Sequence, residues 1–204
     1  MNSREEVEKG YLCLLVGALL LATRLLPAFD IFTPNFILFF GLSVFGYLLI
    51  LMGIRAIQTP KKELESGYAF AFIAFILRFI HFLLLITSSS IMATDFFRIF
   101  IMLSFFFSVG TFFLLFKAEY MWSSDTTKRG NWFVYSAVAL VKLVNYGVMM
   151  FPDISFRILP LDVVITIFEA FRFVLLLHYA VLIYILVRLY LEARRNAPSN
   201  EWHN

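Results

Sequence analysis

From Ile31 to Ile54, and again from Ile99 to Phe116, the chain carries no charged side chain. A run of about 20 mainly apolar residues is what a helix needs to cross the ~30 Å hydrocarbon core of a bilayer. In lipid such a helix satisfies its own backbone hydrogen bonds and leaves its side chains in a matching solvent. Three further runs of similar length carry one or two interruptions, and a longer one over 159–190 carries Asp162, Glu169, Arg172 and Arg188. Expected spans are about 11–28, 33–55, 67–87, 98–118, 132–151 and 159–190. The expected fold class is all-α: a polytopic membrane helical bundle with six transmembrane helices within 1–195, followed by a short polar tail over 196–204.

Composition excludes the soluble alternative. Hydrophobic residues make up 61% of the chain and charged ones 15%, against about 25% charged in an ordinary soluble domain. The first run begins just after Lys9, as the apolar part of a signal peptide would. Glu5, Glu6 and Glu8 before it, Arg24 within it and the lack of a small-x-small cleavage site point to a retained span.

Cation placement sets the orientation. Arg4 and Lys9, then Arg55, Lys61 and Lys62, then Lys117, Lys128 and Arg129, then Arg188, Arg194 and Arg195 fall on one side of the membrane. The other side has Arg98 and Arg157 with Asp30, Asp95 and Asp153. The positive-inside rule puts both termini in the cytoplasm of a cell (inner or plasma) membrane protein. Tyr11, Tyr68, Tyr120, Trp122 and Trp132 fall at the expected cytoplasmic boundary, where aromatic rings favour headgroups. The sixth helix, Leu159 to Arg195, would be about 55 Å long. Its last turns are expected to project as a stalk, able to take a partner membrane subunit or to build a homo-oligomer through the last helix.

The net charge of +3 comes from loop cations, so nucleic acid is not an expected partner. A single cysteine, Cys13, excludes an intramolecular disulfide. A faint threefold pattern runs through the chain. Gly10-Tyr11, Gly67-Tyr68 and Gly130-Asn131-Trp132 each precede a cation (Arg24, Arg78, Lys142) by 11 to 14 residues, as three hairpins from one ancestral unit would.

Function is expected where charge meets hydrocarbon. A charge near the bilayer centre costs roughly 2.5–3.5 kcal/mol on insertion scales, so it is a functional candidate by default. Arg78 and Lys142 each lie about 11 residues into their spans, Glu169 about 10, and Arg172 one turn beyond it. His81 and Asn145 stand three residues after Arg78 and Lys142, on the same helical faces. Glu169 can neutralise only one of the three cations. The expected ligand-binding set is Arg78, His81, Lys142, Asn145, Glu169 and Arg172, around a small anionic or amphiphilic ligand, in a transport or sensory component. The alternatives are an anchoring or scaffolding subunit whose buried charges pair with a partner membrane protein, or a purely structural polar core.

No catalytic residue, metal ligand or cofactor is expected. His81 and His178 differ in height by almost 20 Å, too far for one haem iron. Ser88-Ser89-Ser90 has no neighbouring base and reads as a turn.

Overall fold

A computed structural model describes residues 4–23, 25, 36–57, 62–87, 95–121 and 126–195. Arg24, residues 26–28 of the first expected span, Ser88-Ser89-Ser90, Trp122 and the 196–204 tail with His203 lie outside the described residues, as does the side chain of Tyr120.

The described residues form seven helices and no strand: α1 (Arg4–Ala22), α2 (Phe36–Ile57), α3 (Lys62–Thr87), α4 (Asp95–Met121), α5 (Thr126–Met150), α6 (Pro152–Ile158) and α7 (Leu161–Arg195). Within five of them, Leu38–Ile57, Leu64–Leu84, Arg98–Glu119, Arg129–Met150 and Leu161–Arg195 are long and apolar enough to cross a membrane. Large apolar side chains such as Phe45, Met52, Leu140 and Phe173 stand exposed on their outer faces. The molecule is compatible with a multi-pass membrane protein. α1 differs, because Glu5, Glu6, Glu8 and Lys9 charge its first half and its described part ends at Ala22.

Most helices outrun the expected spans. α1 starts at Arg4 instead of 11, α3 at Lys62 instead of 67, and α5 at Thr126 instead of 132. Hydropathy marks where hydrocarbon ends, whereas the Glu- and Lys-rich flanks remain good helix formers beyond it. The seven-residue α6 was not expected at all. It is too short to show a periodicity, yet Pro152 at its start and Asp153 in its first turn are ordinary helix-start signals.

The six long helices close a ring. Each packs on the next in the order α1, α2, α3, α4, α5, α7, and α7 returns to α1. α6 bridges the α5–α7 turn, where the Ser155 hydroxyl donates to Phe151 O at 2.9 Å.

The most extensive contact, α1 on α2, is made by glycines spaced seven apart. A Cβ at Gly17 would stand 2.7 Å from Gly46 O, and one at Gly53 would stand 2.7 Å from Gly10 O. The two backbones touch with no side chain between them, and Leu14, Ala18, Ile50 and Ile54 seal both sides. α3 and α4 meet through Gly67 and the fully buried Ala71 and Ala74, with the Phe70 ring seated in a notch at Gly110.

The end of α7, expected to project as a stalk, is packed along its inner side. Leu186 and Leu189 are buried, and Tyr190 and Ala193 still pack on the core beside Val7 of α1. The early start of α1 is what covers them. Tyr11, expected among headgroups, is likewise buried, and its hydroxyl donates to Glu119 of α4 at 2.6 Å. α1 and α4 stand opposite one another in the ring, so this hydrogen bond ties the bundle across one end.

Candidate functional site

α3 presents Ala71, Ala74, Arg78 and His81 to the interior at spacings of three and four, which is one helical face. α5 does the same with Tyr135, Ala139, Lys142 and Asn145. The sequence thus turns one cation from each of two helices inward. Arg78 is 1% exposed and Lys142 4% exposed. Each lies sixteen residues past the first residue of its helix, Lys62 or Thr126, so the two sit at matching distances along their spans.

Lys142 is caged by rings. Its Nζ lies 4.6 Å from the Phe105 centroid and 4.6 Å from that of Tyr179, so one ammonium joins α4, α5 and α7. Phe105 is itself stacked on Tyr146 at 4.1 Å, which fixes the α4 wall. A cation over an aromatic face within about 6 Å is attracted by the ring quadrupole, more strongly once desolvated. Arg78 has a parallel arrangement. Its Cζ stands 5.5 Å from the Phe40 ring of α2, and His81 packs 4.5 Å from the same ring. Nη1 of Arg78 lies 3.5 Å from Nδ1 of His81. A guanidinium can only donate, so this contact requires Nδ1 to be the unprotonated nitrogen.

Asn145, one turn beyond Lys142, reaches α7 by donating from Nδ2 to Ile167 O at 2.8 Å. Its Oδ1 is buried with no hydrogen-bond partner among the described residues, and so are Ser104 Oγ and His178 Nδ1. Ser104 precedes Phe105 and His178 precedes Tyr179. Each of the three atoms therefore belongs to a residue next to the Lys142 cage, in the chain or by one helical turn. A buried polar atom without a partner costs about 1–3 kcal/mol. Arg78 and Lys142 are also the only formally charged residues buried among those described, and no carboxylate is.

Four of the six residues singled out from sequence are thus brought inside: Arg78 and His81 on α3, Lys142 and Asn145 on α5. Glu169 and Arg172 are not. Both stand exposed on the outer face of α7, as does Asp162. The inward line of α7 runs through Val164, Leu175, His178 and Leu182. At about 100° per residue, Glu169 points about 140° away from Val164 and about 120° away from Leu175. Glu169 thus lies on the opposite face of α7 from the expected interior set. His178 was missed as a site residue because it was weighed only as a haem ligand. Its place on the α7 stripe with Leu175 and Leu182 was the available signal, and Ser104 shares its α4 face with Ser108 and Thr111 in the same way.

No family model, curated protein or solved structure matches this chain.

Proposed function

We propose that the chain is a six-span membrane protein with both termini in the cytoplasm, and that it holds a small anionic or amphiphilic ligand beside Lys142 as a transport or sensory component. α1 supplies the sixth span, with Gly10–Ala22 as its apolar part. One observation carries the ligand reading: the Lys142 ammonium is caged by two rings where no carboxylate is buried among the described residues, and Asn145 Oδ1, one turn along the same helix face, is buried without a hydrogen-bond partner among them. A bound carboxylate or phosphate headgroup would accept from Lys142. A hydroxyl or amide on the same molecule would donate to Asn145. Arg78 and His81 on α3 would add a second cation to the same interior, and the apolar ring surfaces suit an alkyl or aromatic body.

Equilibrium binding of a fluorescent long-chain fatty acid to the protein in nanodiscs tests this reading. Saturable binding is expected, weakened roughly five- to tenfold by Asn145→Leu, which removes one hydrogen bond worth ~1 kcal/mol. Partition that does not saturate, or that the substitution leaves unchanged, would count against it. The orientation has its own check. A cysteine replacing Arg195, in a Cys13→Ser background, should react with an impermeant thiol reagent only when the cytoplasmic side is open. Labelling from outside intact cells would reverse the topology.

A further inference from the structure

We infer that the end of the bundle where α1 begins and α7 finishes opens between α4, α5 and α7, with the Tyr11–Glu119 hydrogen bond as its latch. What passes there rests on the ligand reading; the opening itself does not. At this end a narrow gap enters the molecule, lined by Phe116 and Glu119 of α4, Asn131 of α5, and Ile185 and Leu189 of α7. These are the three helices that meet around the Lys142 ammonium. Asn131 lies 11 residues before Lys142, and Leu189 lies 10 beyond Tyr179. The gap therefore stands about 15 Å along the helix axes from the cage.

Rings fill the distance between. The Phe116 ring lies 4.9 Å from that of Tyr135, Tyr135 lies 5.5 Å from His178, and His178 lies 5.4 Å from Tyr179, which caps Lys142. Phe112 and Leu182, both buried, complete this plug. The closest glycine contacts bind α1 to α2 and α3 to α4. By contrast, α4, α5 and α7 meet here through side chains, which can swing aside. Glu119 lines the gap and also accepts from the Tyr11 hydroxyl at 2.6 Å. Tyr11 is 6% exposed and comes from α1, which is not a neighbour of α4 in the ring. The bond therefore crosses the interior and holds α4 toward α1. Breaking it frees α4 to lean outward at the gap. One hydrogen bond shifts a closed-to-open ratio roughly five- to tenfold.

Thiol labelling of the full chain in nanodiscs, in a Cys13→Ser background, reads the opening. Leu182→Cys places a thiol inside the plug, one turn from Ile185 and one turn from Tyr179. Ile185→Cys, at the gap itself, gives the same reading should the first variant not fold. A small water-soluble maleimide should reach either thiol slowly, and roughly five- to tenfold faster once Tyr11→Phe removes the hydroxyl but keeps the ring. Tyr184→Phe, outward on α7 at 60% exposed, should leave the rate alone. Ala74→Cys, fully buried on α3, should label no faster with Tyr11→Phe, which separates a local opening from general loosening. Adding Glu119→Leu to Tyr11→Phe should bring no further gain, since both remove one bond. An unchanged rate in the plug, equal acceleration at position 74, or additive effects of the two latch variants would overturn the inference. Uptake of the fluorescent fatty acid separates the two readings. If it never saturates while plug labelling still quickens with Tyr11→Phe, the opening is supported and the ligand reading fails.

Discussion

Gly17→Leu is expected to leave a protein that inserts but cannot hold α1 against α2. At this position the new Cβ would lie 2.7 Å from Gly46 O and 2.8 Å from Ile50 Cγ1. The first of these is backbone, so no rotamer change relieves it and the helices must part. Separation would also loosen Leu14, Ile50 and Ile54, which the approach of the two glycine pairs keeps buried. Overpacking of well-packed interiors costs about 1–3 kcal/mol and sometimes more. A backbone clash belongs at the upper end, at ~3 kcal/mol or above, or roughly a 10 °C fall in melting temperature for a chain of this size. Thermal inactivation followed by size-exclusion in mild detergent reads this directly. Gly110→Ala should be milder, because its Cβ would meet only the ring carbons of Phe70, which can swing. Gly130→Leu should be neutral, since nothing lies within 4 Å of a Cβ there. If all three variants melt alike, glycine contact is not what joins α1 to α2.

Lys142→Met should separate binding from stability. A methionine fills a similar volume and makes favourable sulfur–ring contacts with Phe105 and Tyr179. Exchanging a buried charge for an apolar residue of similar size is often neutral or stabilising by about 1–4 kcal/mol. The melting temperature of the variant should therefore hold or rise. Ligand affinity should fall by at least about 2 kcal/mol, roughly thirtyfold in Kd, because an anion would lose its charge-assisted donor in a desolvated site. A merely structural lysine would show the reverse, with lower stability and unchanged retention.

The long apolar helices were legible because a bilayer imposes a length on every run that crosses it, and the uncharged runs Ile31–Ile54 and Ile99–Phe116 have that length. Direction around each helix was not legible to the same degree. In a water-soluble helix, polarity marks the outer face, but in a membrane helix both faces are apolar and the contrast fades. Arg78 with His81 and Lys142 with Asn145 were recovered because each pair repeats polarity at one turn. Glu169 and Arg172 form a similar pair and misled for that reason, since a polar pair can face outward as well as inward. The paired glycines of α1 and α2 lie 29 (Gly17 and Gly46) and 43 (Gly10 and Gly53) residues apart across the hairpin. Their partnership exists only once the hairpin is closed.

Native mass spectrometry of the gently extracted protein, with Lys142→Met measured beside it, tests the central claim most directly. The parent chain of 23.7 kDa is predicted to carry a small acidic or amphiphilic molecule that activation releases, and the variant to fly bare. A parent chain that is bare while still helical, or the same adduct retained on both, would contradict a ligand held by the caged ammonium.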